Sequence, residues 1–139
     1  MYYNEPSKNR PWLISAWPGM GNVAVTAAAF LVQKLGMQPV AELAPEGVFD
    51  LQQITIHNGV MSKPRLPKLT AFHWKNPTGG RDLYVTIAEA QPVTGTFALA
   101  KELAAFAAKN NVGRIVTFAS LASQVHPSDD PGVLAAATS

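Results

Sequence analysis

The residues best suited to chemistry form a glycine-rich turn, Gly-Met-Gly-Asn-Val-Ala, which begins at Gly19 and ends at Ala24. Its spacing matches the Gly-x-Gly-x-x-Gly/Ala pattern of dinucleotide-binding turns, in which glycines let the backbone approach a pyrophosphate at a helix N-terminus. The pattern predicts a phosphate-binding site at four consecutive residues, Gly19, Met20, Gly21 and Asn22. Many α/β folds need such glycines only to pack a helix tightly on a strand, so both interpretations remain open.

Two carboxylates are placed where they could assist such a site. Glu42 lies near the end of the next predicted strand, about eighteen residues after the turn, which is the position of a ribose-binding acid. Glu89 follows a predicted core strand, at the edge where open α/β sheets bind ligands, and could act there as a general acid. A carboxylate at that edge could equally cap a helix or accept hydrogen bonds from loop amides.

A third group of residues favours binding of another protein. The stretch Ser-Lys-Pro-Arg-Leu-Pro-Lys contains Arg65, and His73 and Trp74 follow a few residues later. Together they could form a surface for an extended peptide. The alternative is a solvated loop stiffened by its prolines.

Catalytic and metal sites are not predicted. His57, His73 and His126 are far apart in the sequence and there is no cysteine, so the spacing of a zinc site is missing. No Gly-x-Ser-x-Gly elbow is present to activate a serine. We therefore expect no catalytic residue and no cofactor, and the sequence favours a protein that is not an enzyme.

The elements that must position these residues begin with a strand, a turn, a helix and a second strand. The apolar pattern predicts a strand at residues 12–17, a helix at residues 22–35 and a strand at residues 38–43. Their total length suits one βαβ unit with parallel strands. The helix is expected to bury every fourth residue from Val23 to Leu35, and its many alanines indicate close packing on a sheet.

The middle of the chain is interrupted by turns and prolines. His57-Asn58-Gly59 is typical of a tight hairpin, because Asn58 and Gly59 both accept positive φ. Residues 69–74 are predicted to form an edge or irregular strand, because Pro64, Pro67 and Pro77 surround them.

The last part of the chain predicts a second crossover. A helix capped by Thr94 or Thr96 should end at Lys109. Three apolar runs predict buried strands, at residues 83–88, 114–120 and 133–138. We expect a flexible N-terminus at residues 1–10 and a single α/β domain at residues 11–139, folded as an α/β sandwich with a mixed, mostly parallel central sheet.

Composition narrows the possible partners. Only 14% of the 139 residues are charged, whereas 47% are hydrophobic, so some apolar surface is expected to meet a protein partner. The net charge is only +2 and the basic residues are scattered, which argues against nucleic acid. No stretch suits a signal peptide or a membrane span, and the lack of cysteine fits the cytoplasm.

Four stretches, in this order, resemble the proteasome-assembly-chaperone 2 domain family: "PWLISAWPGMGNVAVTAAAFLVQKLGMQPVAEL", "IHNGVMSKPRLP", "YVTIAEAQP" and "AKNNVGRIVTFASLAS". The resemblance implies a three-layer fold similar to the purine nucleoside phosphorylase or phosphorylase/hydrolase-like class. It also implies an assembly chaperone or protein-binding scaffold, without enzyme activity, which forms a homo-oligomer. Members that dock on proteasome rings end in a hydrophobic-Tyr-any tail, whereas this chain ends in "AAATS", and we expect the C-terminal part of the domain to be missing.

Two functions therefore follow from the sequence. The first is a protein-binding scaffold or assembly chaperone whose exposed apolar patches contact a partner. The second is an enzyme or sensor that binds a nucleotide or another phosphorylated small molecule at the glycine turn, assisted by Glu42 or Glu89. An open cleft at the amides of Gly21 and Asn22 would favour the second.

Overall fold

A computed structural model of the chain describes residues 9–43, 47–50, 54, 56–122, 124, 126, 128–130 and 132–138. Its strands and helices, in chain order, are β1 (Trp12–Ala16), α1 (Val23–Lys34), β2 (Gln38–Leu43), β3 (Ile56–His57), β4 (Val60–Met61), β5 (Leu69–Trp74), β6 (Leu83–Ala88), α2 (Thr96–Lys109) and β7 (Arg114–Thr117). A single 3-10 turn, Met20–Asn22, precedes α1. The first eight residues of the predicted flexible N-terminus lie outside the described residues.

Five strands form the central sheet, in the order β2-β5-β6-β1-β7. The central strand β1 pairs in parallel with β6 and with β7. The strand β5 is antiparallel to both of its neighbours, β2 and β6. It follows that β2, β6, β1 and β7 run in one direction and β5 in the other, which confirms the mixed, mostly parallel sheet.

The order of the strands confirms one prediction and corrects another. The strands β1 and β2 run in the same direction, as predicted, but β5 and β6 lie between them. The strand β5 is not an edge strand, because it pairs along its whole length with β6 and also with β2. The prolines that suggested an edge all lie outside Leu69–Trp74, so every residue of β5 keeps the N–H that a central strand needs.

The two helices cover opposite faces of the sheet. Tyr84 and Val85 are consecutive on β6 and point to opposite faces, since side chains alternate along a strand. Tyr84 is buried on the side where α2 contributes Leu103 and Phe106. Val85 is buried on the other side, with the α1 alanines. The predicted three-layer arrangement is confirmed.

The buried face of α1 is made of alanine. Ala24 and Ala28 are 4% and 0% exposed and pack with Ala16 and Val85. The predicted stripe began one residue too early, since Val23 is 48% exposed. The small alanine side chains let the helix approach the sheet closely. The bulkier Val23 lies at the margin of the contact between helix and sheet.

The helix α2 ends at Lys109, as predicted, but neither threonine caps its beginning. The N-cap is Gly95, which has a φ of +65°. The Thr94 hydroxyl donates instead to the Gly47 carbonyl, at 2.8 Å. The hydrogen bond holds the loop before α2 against the loop after β2, and a glycine provides the left-handed backbone that the helix entry requires.

The remaining strand predictions are partly wrong. The predicted strand at residues 114–120 ends at Thr117, and it forms an exposed edge of the sheet instead of a buried strand. The predicted strand at residues 133–138 is not formed, and Val133 is 91% exposed there. The predicted hairpin is confirmed, because Asn58 and Gly59 have positive φ and join β3 to β4.

Candidate functional site

The glycine turn follows β1 at the carboxyl edge of the sheet. Gly21 and Asn22 both have left-handed backbone conformations, with φ of +63° and +51°. The Asn22 N–H donates to the Gly19 carbonyl at 2.9 Å, so the turn itself uses one of the two amides that a phosphate would need. The glycine at position 21 is required by the backbone conformation alone.

Two polar side chains hold the turn from neighbouring loops. The Gln91 amide donates to the Pro18 carbonyl, and the Ser120 hydroxyl donates to the Met20 carbonyl. Gln91 follows β6 and Ser120 follows β7, the two strands that flank β1. Neither contact is predicted by the sequence. The positions of Gln91 and Ser120 in the sequence could have indicated these contacts, because parallel strands bring the residues that follow their carboxyl ends to the same side of the sheet.

An apolar cavity of about 610 Å³ opens beside the turn. Its wall is formed by the turn, by one side of α2 and by the residues that follow β6 and β7. The lining residues are Trp17, Pro18, Gly19, Met20, Val23, Ala24, Gln91, Pro92, Thr96, Leu99, Ala100, Leu103, Thr117, Phe118, Ala119 and Ser120. None of these described residues carries a charge, so a phosphate in this cavity would meet no cationic side chain among them.

The apolar cavity has an exposed apolar rim. Met20 and Val23 line it and are 56% and 48% exposed, and Leu121, next to the lining residue Ser120, is 71% exposed. Large apolar side chains grouped at a concave surface are typical of sites that bind protein or an apolar ligand.

Glu42 is not close to the glycine turn. It lies on β2, which is separated from β1 by two strands. Three strand spacings of about 4.8 Å place the two strands on the order of 14 Å apart. The Glu42 carboxylate accepts hydrogen bonds of 2.7 and 2.9 Å from the Lys68 ammonium group. The arrangement assumed for a ribose-binding acid therefore does not occur.

Glu89 lies nearer to the turn, since it follows β6, the neighbour of β1. Its carboxylate accepts two hydrogen bonds from the Arg65 guanidinium group, at 2.7 and 3.1 Å, and one from the Lys68 N–H, at 3.1 Å. The hydrogen bonds from Arg65 are the main reason that the pKa of Glu89 is lowered, and they raise the pKa of Arg65. A carboxylate held in its ionised form is unsuited to the general-acid role.

A second concave surface lies between α1 and the proline-containing segment, residues 62–68. This groove has a volume of about 840 Å³. Asn22 lines it on the α1 side, and Lys63, Arg65 and Glu89 line it on the other. It therefore differs from the apolar cavity in carrying charged side chains of both signs.

The three residues predicted to bind protein do not lie together. Arg65 contacts Glu89 at the carboxyl end of β6, whereas Trp74 pairs with Leu83 at its amino end. Arg65 and the His73-Trp74 pair therefore lie at opposite ends of the strands of the sheet.

His73 and Trp74 also face opposite sides of the sheet. The His73 ring stacks on Tyr84 with a centroid distance of 4.5 Å, and its side chain is only 14% exposed. Trp74 packs against the cluster on the α1 side. Most of the His73 ring and of the Trp74 ring is buried by these contacts within the fold. A role of either residue in partner binding stays a prediction.

Comparison with known proteins gives a family match. The sequence model of the PAC2 family matches residues 13–139. No curated protein is a significant match to the chain. Among the described residues, no helix is long and apolar enough to cross a membrane.

Several solved structures are similar to the chain. A proteasome-assembly chaperone homologue from Mycobacterium tuberculosis has a TM-score of 0.66 and 25% identity over 76% of this chain. PbaB, an archaeal proteasome activator from Pyrococcus furiosus, has a TM-score of 0.67 and 28% identity over 84% of it. PbaA, an archaeal homologue of a proteasome-assembly chaperone from the same organism, shares the fold at 23% identity, with a TM-score of 0.53 over 81% of this chain and 45% of its own. The chain spans 48% of the length of each of the first two.

Proposed function

Because the chain belongs to the PAC2 family, we propose that it is a chaperone-like scaffold that binds another protein and catalyses no reaction. The observation that carries the proposal is the apolar cavity with its exposed rim. A cavity without charged residues suits the apolar side chains of a protein, which gain free energy when they leave water. Binding a charged metabolite there would require its desolvation without a compensating partner.

We propose a proteasome-type subunit as the partner class. Two of the similar structures, at 25% and 28% identity, are a proteasome-assembly chaperone homologue and an archaeal proteasome activator. The core of an interface between subunits is apolar and is exposed before the subunits assemble. The apolar cavity is suited to cover such a surface temporarily. Homo-oligomerisation is part of this proposal, and the cytoplasmic location stays a prediction.

The test is to mix the full chain with purified proteasome ring subunits of its own organism and to measure complex formation by native mass spectrometry and calorimetry. Ala100→Glu places a charge on the wall of the cavity, and we expect it to weaken binding at least tenfold. Ala105→Glu is the matched control, since Ala105 is exposed on the same helix but does not line the cavity. Equal affinity for both variants, or no complex with the unmodified chain, would contradict the proposal.

The nucleotide-binding alternative has less support. No described residue that lines the apolar cavity is a cation, the Asn22 amide is used within the turn, and Glu42 lies on a distant strand. The groove that Asn22 lines does contain Lys63 and Arg65, and Arg65 is paired there with Glu89. The same native mass spectra test it, because a retained mass of nucleotide size that disappears in a Gly21→Val variant would favour the alternative.

A further inference from the structure

The turn of the hairpin β3–β4 is formed by Asn58 and Gly59. Asn58 is the only asparagine in the sequence that precedes a glycine. Both residues are exposed, and their φ values are +49° and +76°. The strands on either side have two residues each and pair only with each other among the described residues. Because an isolated two-stranded hairpin is only marginally stable in water, this turn can open without disturbing the central sheet.

An asparagine side chain can react with the backbone nitrogen of the residue that follows it. In this reaction the Gly59 nitrogen bonds to the side-chain carbonyl carbon of Asn58. The bond from that carbon to the amide nitrogen breaks, and the amide leaves as ammonia with the proton of the Gly59 N–H. A five-membered succinimide ring remains. Water opens the ring at either of its carbonyl carbons and leaves aspartate or isoaspartate, so the reaction consumes one water and needs no oxidant or cofactor.

The Gly59 nitrogen is available for this attack. The hairpin ladder pairs His57 with Val60, and the Gly59 N–H donates a hydrogen bond to no described residue. Closing the ring also requires the backbone to rotate between Asn58 and Gly59, and glycine allows the widest range of such conformations. No described atom lies within 4 Å of a Cβ built at Gly59, so the turn is open to water.

The other described asparagines lack at least one of these conditions. Asn76 precedes a proline, which has no N–H. Asn110 is only 9% exposed, and both ends of its side-chain amide are hydrogen-bonded. Asn22 and Asn111 precede valine, whose branched side chain restricts the approach to its own nitrogen. Asn9 precedes an arginine, and its side-chain amide is hydrogen-bonded.

We infer that Asn58 is a site of spontaneous deamidation, at which the chain is converted to aspartate or isoaspartate. Either product adds one negative charge to the hairpin. Isoaspartate also adds a methylene group to the backbone of the turn. Since the length of the turn sets the register of a hairpin, isoaspartate breaks the pairing of Ile56 with Met61. Neither Asn58 nor Gly59 lines the apolar cavity or the groove that carries charged side chains, so the inference is independent of the proposed function.

Peptide mapping of the full chain tests the site. The chain is incubated at mildly alkaline pH in water enriched in oxygen-18, and is then digested at acidic pH and analysed by mass spectrometry. We expect the peptide that contains Asn58 to exchange its amide for labelled oxygen at least tenfold faster than the peptides that contain Asn22 or Asn111. Equal rates for these peptides, or a change of mass without labelled oxygen, would overturn the inference.

Two variants test the route through the succinimide ring. Asn58→Gln keeps the amide but would require a six-membered ring, and the incorporation of label should fall at least tenfold. Gly59→Val gives Asn58 the same following residue as Asn22 and Asn111. It should slow the reaction to a similar extent, even if the valine opens the hairpin. A variant that reacts as fast as the unmodified chain would exclude attack by the Gly59 nitrogen.

The effect on the hairpin is measured by nuclear magnetic resonance on the isoaspartate form, after its separation from the unmodified chain by ion exchange. We expect the cross-strand nuclear Overhauser effects between Ile56 and Met61 to be lost. Those between Trp12 and Leu83, which are paired in the central sheet, are the control and should remain. Persistence of the contacts between Ile56 and Met61 would overturn the stated effect on the hairpin.

Discussion

The guanidinium group of Arg65 donates two hydrogen bonds to the carboxylate of Glu89, at 2.7 and 3.1 Å, across 24 residues of sequence. The Lys68 N–H donates to the same carboxylate. These contacts hold the segment of residues 62–68 against the carboxyl edge of the sheet, next to the strand that leads into the glycine turn. They form one wall of the groove that carries charged side chains.

Acid should release this segment. Hydrogen bonding to Arg65 lowers the pKa of Glu89, so the carboxylate stabilises the fold above the ordinary glutamate pKa of about 4.3. That contribution is lost as the pH falls through the lowered value. We expect Glu89→Gln to have a lower melting temperature than the unmodified chain at pH 7, and the difference should disappear as the pH falls through the lowered pKa of Glu89. Glu102→Gln, on the exposed face of α2, is the control, and the same pH dependence there would refute the assignment.

Replacing Gly21 with alanine should destabilise the protein through the backbone alone. Gly21 has a φ of +63°, and an added Cβ would meet only the Val23 side chain at 3.6 Å, an ordinary contact. The left-handed conformation costs an L-residue roughly 1–2 kcal/mol. We expect Gly21→Ala to lower the free energy of unfolding by that amount in a urea titration.

Gly19 provides the matched control for this variant. Its backbone is extended, with a φ of −165°, and nothing lies within 4 Å of a Cβ built there. Gly19→Ala should therefore change the free energy of unfolding by less than about 0.5 kcal/mol, as surface substitutions usually do. A larger effect of Gly19→Ala than of Gly21→Ala would contradict this account of the turn.

The alanine face of α1 should not tolerate a larger side chain. Ala28 is fully buried against the sheet, and adding methylene groups to a packed core costs roughly 1–3 kcal/mol. We expect Ala28→Leu to lower the free energy of unfolding by that amount. Ala29→Leu, on the exposed side of the same helix, should have little effect. Both are measured by chemical denaturation followed by circular dichroism.

The buried Tyr84 hydroxyl should contribute to stability through Asn110. It donates to the Asn110 side-chain oxygen at 3.2 Å, and the Asn110 amide in turn donates to the Phe106 carbonyl. Tyr84→Phe leaves a buried acceptor without this donor, which costs roughly 1–3 kcal/mol. A double-mutant cycle with Asn110→Ala should give less than additive losses. Additive losses would show that the two side chains are not coupled.

The sequence predicted the elements well wherever local pattern decides them. The limits of β2, β5 and β6, and the end of α2 at Lys109, agree with the structure. The order of the strands could not be read from the same pattern, because β5 enters the sheet between β2 and β6 through contacts that are distant in sequence. For that reason β5, which was predicted to be an edge or irregular strand, is an interior strand of the sheet.

The candidate site was predicted only in part, for a similar reason. The glycine turn lies where the motif placed it, but the motif does not say which side chains face it. Gln91 and Ser120 reach the turn from loops that are far away in sequence. Glu42 was placed near the turn because it lies near the end of the next strand along the chain. In the sheet, β5 and β6 lie between β2 and β1 and separate Glu42 from the turn.

The central position of β1 has a consequence for how the chain folds. The side chains of Ser15 on β1 and Thr86 on β6 hydrogen-bond at 3.0 Å across 71 residues, and β7 lies further along the chain. Among the described strands, β1 therefore has no partner until residues 83–88, which form β6, have left the ribosome. Contacts of such separation make folding slow, and unpaired strand edges are prone to aggregate meanwhile.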